Sequence, residues 1–242
     1  AEYNPFECAK TNILGSMNLI DACLDKGVKS CVALSTDKAS SPSNLYGATK
    51  LVSDKLFVAG NNYSGSKDCK FSVVRYGNVM GSRGSVIPFF MSLNKSKGDV
   101  LPITDQRMTR FMITLEQGIE LVLHALDDML GGEIYVKKIP SMRIIDIART
   151  IHPDLEIKNV GIRPGEKLHE QMIAAEDAKY TYDFSDYYKI IPATDKTGRN
   201  DLRSKGGKPV PEDFQYTSDN NDDWLKPSEL MSWIESNYQV DS

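Results

Sequence analysis

The sequence predicts an α/β fold built on a doubly wound parallel sheet, together with a smaller α/β domain. The segments Ser30–Leu34 and Phe71–Tyr76 are short, apolar and partly β-branched, which is typical of buried parallel strands. Segments with a helical spacing of apolar residues lie before and after the first of them, so helices and strands alternate along the chain. That alternation indicates right-handed βα units.

The other elements follow from similar patterns. Apolar residues recur at helical spacing from Asn12 to Leu24, and Gly27 ends that helix. We expect, in order, a helix at 44–59, a glycine-rich loop at 77–85, a helix at 86–93, an extended segment at 101–103, a helix from the capping box at 114–117 to 131, a strand at 133–136, a helix at 141–151, a strand at 156–162 and an amphipathic helix within 224–234. We predict two domains, residues 1–80 and residues 81–242, the second with some segments that return to the main sheet.

Composition limits the classes of function. The 242 residues carry a formal net charge of −4 with a pI near 5.5, which argues against a surface devoted to nucleic acid. No apolar run reaches about 18 residues, so the sequence predicts no membrane segment. The four cysteines include no C-x-x-C pair and the three histidines are dispersed, so we expect no metal site and a reduced, cytoplasmic protein.

Polar residues follow the first strand directly. The tetrad Ser35–Lys38 lies where that strand ends, and ligands bind at the carboxyl ends of strands in such sheets. Tyr46 and Lys50 are four residues apart in the next helix, so they share one face. A Y-x-x-x-K pair alone is more often a solvated helix face, but the tetrad just upstream favours a catalytic interpretation.

A glycine-rich loop, Gly77–Ser85, follows the second strand. Such a loop can bring backbone amides close to an anion. Its other interpretation is a flexible connection, and the loop alone does not decide between the two.

Longer motifs carry a resemblance to a known family. They are the tetrad with Tyr46 and Lys50, Arg75–Val79 with Gly81–Ser85, Met108–Phe111, and Gly161–Glu170. With Asn12 in the preceding helix, they resemble the extended short-chain dehydrogenase/reductase superfamily and, within it, the UDP-N-acetylglucosamine 4,6-dehydratases. The soluble, inverting members, which begin pseudaminic acid synthesis, are the most similar. The resemblance covers nearly the whole chain and weakens after Ala174.

The resemblance implies a Rossmann-type fold, a homo-oligomer, and dehydration of a UDP-sugar with inversion at carbon 5 through a nicotinamide cofactor. Tyr46 would take the proton of the 4-hydroxyl, and Lys50 would favour the phenolate and bind the nicotinamide ribose. Lys38 would remove the proton from carbon 5, and Asp37 would protonate the departing 6-hydroxyl. Thr36 completes the implied catalytic set. Asp37 and Lys38 both need shifted pKa values, which burial favours and their mutual attraction opposes.

The resemblance also implies binding residues. Those for the cofactor are Ser35, Tyr46, Lys50, Tyr76, Asn78 and Val79. Those for the sugar nucleotide are Thr36, Asn78, Arg83, Gly84, Ser85, Val86, Ile87, Arg110, Arg163 and Glu166. Arg110 and Arg163 would bind the diphosphate, because a guanidinium matches phosphate geometry, and Glu166 would accept from the uridine ribose. Lys167 and His169 are expected to be structural.

The cofactor's glycine fingerprint, G-x-x-G-x-x-G, does not occur in this sequence. The resemblance places it upstream of Ala1, within roughly 90 residues of βα units that we expect to be missing. We expect NADP, with NAD left open, because the residue that discriminates them would lie in that upstream part. The chain alone is expected to bind cofactor poorly.

Three alternatives stay open. One is a retaining dehydratase of polysaccharide synthesis, although membrane-anchored enzymes of that kind often carry methionine in place of Tyr46. Lys38 also favours the N-acetylglucosamine branch, since many hexose 4,6-dehydratases have glutamate there. Another is a truncated, non-catalytic sugar-nucleotide-binding relative, against which the joint presence of Asp37, Lys38, Tyr46 and Lys50 argues. The last is that Asp37 and Lys38 form only a surface ion pair, worth under about 1 kcal/mol.

Overall fold

The computed structural model describes residues 1–65, 68–94, 97–194 and 198–238, and the chain divides into two compact units. The main-sheet unit comprises Ala1–Tyr76, Glu116–Lys138 and Gln171–Tyr216. The second unit comprises Gly77–Leu115, Ile139–Glu170 and Thr217–Ser242. Both units are therefore discontinuous along the chain.

The elements in chain order are α1 Pro5–Ala9, a π-helical turn Lys10–Leu14, α2 Gly15–Lys26, β1 Ser30–Thr36, a 3₁₀ turn Asp37–Ala39, α3 Leu45–Gly60, β2 Lys70–Tyr76, β3 Asn78–Val79, α4 Val86–Met91, β4 Leu101–Ile103, β5 Thr109–Ile113, α5 Leu115–Asp128, β6 Ile134–Lys137, β7 Ser141–Arg143, α6 Ile144–Ile151, β8 Ile157–Asn159, β9 Gln171–Ile173, α7 Ala175–Ala178, β10 Thr181–Asp183, β11 Tyr187–Ile190, α8 Asn200–Arg203, β12 Lys208–Pro209, β13 Tyr216–Thr217 and α9 Pro227–Asn237. In the described part of the chain, no helix is long and apolar enough to cross a bilayer.

The main-sheet unit contains a six-stranded sheet in the order β1-β2-β6-β11-β10-β12. β1, β2 and β6 are parallel, and β11 and β10 add to them in antiparallel fashion. Successive β2 side chains point to opposite faces, so Phe71 meets Phe57 of α3 while Val74 packs with Leu121 of α5. Helices cover both faces, which confirms the predicted doubly wound α/β architecture.

The prediction that the first strand is buried is wrong. β1 pairs with β2 along one edge, and among the described residues no strand lies along its other edge. Leu34 is consequently 52% exposed, although the apolar sequence of β1 matches that of an interior strand. The apolar sequence of a strand shows that its side chains are suited to burial. The strands and helices packed around it decide how much of each side chain is buried.

One helical segment precedes β1 in the chain and another follows it. The helical segment before β1 begins at Pro5, earlier than predicted, and ends at Gly27, whose φ of 66° suits a glycine C-cap. The helix after it, α3, begins close to the predicted position because Asn44 Oδ1 accepts from Gly47 N at 2.8 Å. This cap sets where Tyr46 and Lys50 fall on the helix.

The second unit has its own apolar core, to which α4, α6, α9 and several short strands contribute. Ser141–Arg143 was predicted to begin a helix but forms β7, antiparallel to β5. The Ser141 side chain is buried and accepts from Asn221 Nδ2 at 2.9 Å, so tertiary contacts override its capping tendency. The predicted strand at 156–162 is shorter, Ile157–Asn159.

Candidate active site

The end of β1 carries a compact hydrogen-bonded group. Thr36 is the last residue of β1, and Asp37–Ala39 form a 3₁₀ turn. Thr36 Oγ1 donates to Asp37 Oδ1 at 2.9 Å and accepts from Lys38 N at 3.4 Å. Lys38 Nζ donates to the same Asp37 oxygen at 3.1 Å. The structure thus brings Thr36, Asp37 and Lys38 into direct contact.

The Asp37–Lys38 pair is not a surface ion pair, because the Asp37 side chain is only 1% exposed. The Lys38 side chain remains 34% exposed, so the pair joins the interior to the surface. Asp37 Oδ2 is buried and makes no hydrogen bond with the described residues. A buried acceptor without a donor is unfavourable, and it is able to take a proton or to meet a ligand donor.

Tyr46 lies in the first turn of α3 and is 39% exposed. Burial raises the pKa of its phenol; the Lys38 ammonium lowers this pKa, and the Asp37 carboxylate raises it. Tyr46 is therefore electrostatically connected to the Asp37–Lys38 pair. The predicted cation for this tyrosine was Lys50, but in this structure the cation that lowers the phenol pKa is Lys38.

Lys50 directs its ammonium elsewhere. Its Nζ donates to Leu34 O at 2.7 Å, at the open edge of β1. Burial lowers the pKa of Lys50, and the Asp54 carboxylate one turn later raises it. Lys50 lines a groove of about 430 Å³ together with Asn12, Leu34 and other residues of the preceding helix, β1 and α3. Its ammonium is thus placed at a surface that a ligand could reach.

Asn12 connects the helix before β1 to the helix that carries Tyr46. It lies in the π-helical turn, a rare geometry that is frequent at functional sites. Asn12 Nδ2 donates to Thr49 Oγ1 at 3.0 Å, and Thr49 Oγ1 donates to Tyr46 O at 2.9 Å. Asn12, one of the residues that carry the family resemblance, is therefore linked to Tyr46 O by two hydrogen bonds through Thr49.

Two predicted cofactor residues of the main-sheet unit have different surroundings. The Ser35 hydroxyl is buried and donates to Asp54 Oδ2 at 2.8 Å, so its predicted contact with a cofactor stays a prediction. A side chain one position along a strand points to the opposite face, and Ser35 faces α3. Tyr76, by contrast, is only partly buried, and this burial raises the pKa of its phenol.

Asn78 and Val79, in the second unit, form the short strand β3, which pairs with Met112 and Ile113. Asn78 Oδ1 is buried and has no hydrogen-bond partner among the described residues. Val79 is partly buried. An amide oxygen of this kind is suited to accept from a ligand, as predicted for Asn78.

The glycine-rich loop is held by the C-terminal helix. Gly81 has a φ of 73°, and a Cβ there would lie 2.7 Å from both Trp233 and Tyr238. Arg83 and Gly84 are exposed, and Ser85 Oγ is buried without a partner among the described residues.

The substrate-binding role of Ile87 stays a prediction, and the structure directs its side chain into a core. Ile87 is 1% exposed and belongs to the core of the second unit. Val86 is partly buried and packs against the same core. Both residues begin α4, whose inward face is apolar, and that face supplies packing for the loop in front of it.

Arg110, the predicted diphosphate ligand, is buried and has several partners in this structure, so its contact with a diphosphate stays a prediction. Its side chain is 7% exposed, and its Nη1 donates to the carbonyl oxygens of Thr109 and Leu168 at 2.7 and 3.2 Å. Its guanidinium also lies 3.7 Å from Glu166 and 3.5 Å from Glu170. Arg110 therefore helps to position Glu166. The sequence could not reveal that two carboxylates surround this guanidinium.

Arg163 and Glu166 lie in one turn of the second unit. Arg163 is exposed, and its backbone N donates to Glu166 Oε2 at 3.2 Å. His169, expected to be structural, contacts Thr109 Oγ1 through Nδ1 at 2.8 Å. In the described part of the chain, no cluster of three or more His, Cys, Asp or Glu side chains could hold a metal ion.

Sequence reasoning missed two buried charged residues, Asp54 and Arg75. Arg75 Nη2 donates to Asp54 Oδ2 at 3.1 Å, and both side chains are 2% exposed. The available signal was the spacing, since Asp54 follows Lys50 by four residues on the same helix face. Arg75 stands inside a strand, where a charged residue requires a buried partner.

The fold and the strand-end group define a Rossmann-type α/β protein with a tyrosine and two lysines at its sheet edge. Residues 1–192 match the profile of the family described as "Polysaccharide biosynthesis protein". The chain belongs to this family.

The chain is also similar to individual relatives. It is 55% identical to a UDP-N-acetylglucosamine 4,6-dehydratase (inverting) from Campylobacter jejuni, over 97% of this chain and 72% of that protein. A second strain of Campylobacter jejuni has a relative with the same identity and coverage. These relatives confirm the resemblance that the motifs predicted.

Solved structures give a consistent comparison. Pen from Bacillus thuringiensis has a TM-score of 0.83 at 34% identity, covering 97% of this chain and 70% of that one. DesIV, a dTDP-glucose 4,6-dehydratase from Streptomyces venezuelae solved with NAD and TYD bound, has a TM-score of 0.58 at 23% identity, covering 66% and 56%. The second likeness concerns the fold alone.

Proposed function

We propose that this protein dehydrates UDP-N-acetylglucosamine to a 4-keto-6-deoxy UDP-sugar with inversion at carbon 5, using bound NADP, as the first step of a nonulosonic acid or surface-glycan pathway. The observation that carries the proposal is the contact between Lys38 Nζ and Asp37 Oδ1 at 3.1 Å, electrostatically coupled to Tyr46. The 55% identity to relatives named for this reaction supports it. Homo-oligomeric assembly and a cytoplasmic location are part of the proposal.

The Asp37–Lys38 pair supplies the acid and the base of the elimination. Moving one proton from Lys38 Nζ to Asp37 leaves a neutral amine and a neutral carboxylic acid. The amine then takes the proton of carbon 5, while the acid protonates the departing 6-hydroxyl, which leaves as water. A sugar can reach the pair through Lys38, whose side chain is 34% exposed, while Asp37 is buried behind it. Return of the hydride to carbon 6, with reprotonation of carbon 5 from the opposite face, would then complete the reaction with inversion.

Tyr46 takes the proton of the 4-hydroxyl. Because burial raises the pKa of this phenol, deprotonation depends on nearby positive charge, and Lys38 supplies it. Proton transfer from Lys38 to Asp37 would remove that charge, so we propose that oxidation at carbon 4 comes before the elimination. Thr36 keeps Asp37 Oδ1 oriented throughout by donating to it at 2.9 Å.

The residues present fit the nicotinamide end of the cofactor. Lys50 Nζ lies at an accessible groove and donates to the neutral Leu34 carbonyl, and an ammonium has three donor hydrogens, so it can also donate to a ribose hydroxyl. Tyr76, beside the same strand ends, and Asn78 with its buried Oδ1 are further candidates. NADP, when bound, supplies a reversible acceptor for the hydride of carbon 4.

The sugar nucleotide is assigned to residues of the second unit. Arg83 and Arg163 are exposed guanidinium groups suited to a diphosphate, and Ser85 Oγ and Asn78 Oδ1 lack partners among the described residues. Glu166 is the proposed acceptor for the uridine ribose, and Arg110 positions it.

Proton NMR of the reaction in deuterated water tests the proposal. We expect the full-length protein, supplied with UDP-N-acetylglucosamine and NADP, to give a 4-keto-6-deoxy product with deuterium at carbon 5 and the inverted L-arabino configuration. Absorbance at 340 nm should show no net cofactor reduction. A D-xylo product would instead assign the retaining reaction. Calorimetric binding of the UDP-sugar without turnover would assign the non-catalytic alternative.

A further inference from the structure

A buried chain of hydrogen bonds crosses the main-sheet unit directly behind the strand-end group. Ser35 Oγ donates to Asp54 Oδ2 at 2.8 Å, and Arg75 Nη2 donates to the same oxygen at 3.1 Å. Arg75 Nη1 donates to Met172 O at 2.7 Å. All three side chains are buried. The chain thus joins β1, α3, β2 and β9.

Each member of this chain is next to a residue of the proposed site. Ser35 precedes Thr36, and Arg75 is paired in register with Ser35 and precedes Tyr76. Asp54 follows Lys50 by one helical turn. A single buried carboxylate oxygen therefore connects the strand end that carries the acid and the base to the helix that carries Tyr46 and Lys50.

We propose that Asp54 and Arg75 are positioning residues, which fix α3 against the carboxyl end of β1 and keep the Asp54 carboxylate one helical turn from Lys50. The expected effect on catalysis rests on the proposed function, whereas the structural role of these two residues does not. A displacement of about 1 Å between catalytic groups is enough to cost about 100-fold in rate. A buried arginine–carboxylate pair that shares its acceptor with a serine resists such displacement, since removing any donor leaves a buried acceptor poorly satisfied.

Asp54 also acts on Lys50 through charge. Burial lowers the pKa of Lys50, and Asp54 opposes that effect. Leu34 O, from β1, is the neutral acceptor of its ammonium. The described walls of the groove around Lys50, from the helix before β1, from β1 and from α3, contain no other ionisable side chain. Asp54 is consequently the carboxylate that counteracts the effect of burial on the pKa of Lys50.

The same sheet contains a matched network at its opposite end. Ser72 Oγ donates to Glu133 Oε2 at 2.7 Å, and Arg203 Nε lies 3.4 Å from Glu133 Oε1. Ser72 and Glu133 are at the amino ends of β2 and β6, whereas Ser35 and Arg75 are near the carboxyl ends of β1 and β2. This second group also joins a serine, a carboxylate and an arginine, but it lies at the other end of the sheet from the proposed active site.

The first test compares Ser35→Ala with Ser72→Ala. Both variants lose one hydroxyl donor to a buried carboxylate, so we expect similar decreases in Tm. Only Ser35→Ala should lower kcat, by about tenfold, with KM for the UDP-sugar within about twofold of wild type. An equal kcat for the two variants would overturn the positioning role.

The second test needs no turnover. The apparent pKa of Lys50 is measured by the pH dependence of its acetylation by acetic anhydride, with mass spectrometry of the labelled peptide. Asp54→Asn should lower this pKa, Asp54→Glu should restore it in part, and Glu133→Gln should leave it at the wild-type value.

An unchanged Lys50 pKa in folded Asp54→Asn would overturn the inference. If Asp54→Asn does not fold, the comparison of the two serine variants decides. If the full-length wild-type protein gives no turnover, the proposed function fails, and the Lys50 labelling decides the positioning inference separately.

Discussion

The two side chains of the Asp37–Lys38 pair differ in their burial. Asp37 is almost fully buried, whereas Lys38, whose Nζ lies 3.1 Å from Asp37 Oδ1, is partly exposed. Both charges disappear when one proton moves from nitrogen to oxygen, so the pair can change from an ion pair to an acid and a base without a proton from solvent. The neighbouring residues Asp37 and Lys38 thus form one chemical unit.

Replacing Lys38 by alanine removes the proposed base. We expect Lys38→Ala to lower kcat by about 10²–10⁴-fold, the range typical of general base catalysis, measured by NMR of product formation. Lys55→Ala is the matched control, because Lys55 is an exposed lysine of α3. Lys55→Ala should retain wild-type kcat. Turnover by Lys38→Ala equal to that of the control would assign the base to another residue.

At the scale of elements, the 3₁₀ turn after β1 is packed directly on the first turn of α3. A Cβ on Gly47 would collide with the Lys38 carbonyl oxygen and would lie 3.0 Å from Pro42 Cβ. The glycine allows the backbone that carries Asp37 and Lys38 to approach the helix that carries Tyr46. Close backbone approach, and not φ, is the reason for glycine here, because Gly47 is helical.

We therefore expect Gly47→Ala to destabilise the protein by about 1–3 kcal/mol, as overpacking does, measured by urea unfolding. It should also lower kcat by at least about tenfold, because the turn must move away from α3. Gly118→Ala in α5 is the control, since a Cβ there meets no atom within 4 Å. That control should be neutral or stabilising by up to about 1 kcal/mol. Normal activity in folded Gly47→Ala would show that the turn tolerates displacement.

At the scale of the whole molecule, stability at alkaline pH depends on buried thiol and phenol groups that carry no charge at neutral pH. Burial, with contributions from Cys23 and Cys69, raises the pKa of the Cys31 thiol from 9.0 to about 12. Burial likewise raises the pKa of the Tyr135 phenol, which donates to Asp128 at 2.7 Å. Unfolding restores ordinary pKa values to these groups, so stability depends on pH in the alkaline range.

The sign of this dependence follows from the raised pKa. The stability that Cys31 contributes is fully present below pH 9.0 and is lost as the pH rises towards about 12, because the unfolded thiol ionises first. We expect the Tm of the wild-type protein to fall over that interval and the Tm of Cys31→Ala to fall less steeply. Each variant is referenced to its own Tm at pH 7, which removes the packing loss. Parallel curves would show that Cys31 does not contribute.

Much of the fold could be predicted because its signals are local. The spacing of apolar residues before β1, the Asn44 cap and the apolar run of β2 all act within a few residues, and their elements lie close to the predicted positions. The strands after Ala174 were missed, because β10 and β12 are short and are stabilised by pairing in the main sheet. Pairing with a distant strand leaves little trace in a short sequence.

Sequence alone determined which residues are chemically suited to the proposed reaction and the family that the motifs resemble. The tertiary structure decided which of them are accessible and which charges they meet. It buried Asp37, placed Lys38 rather than Lys50 as the cation acting on Tyr46, and surrounded Arg110 with carboxylates. The physical reason is that pKa and accessibility depend on neighbours brought together by folding, and those neighbours are remote along the chain.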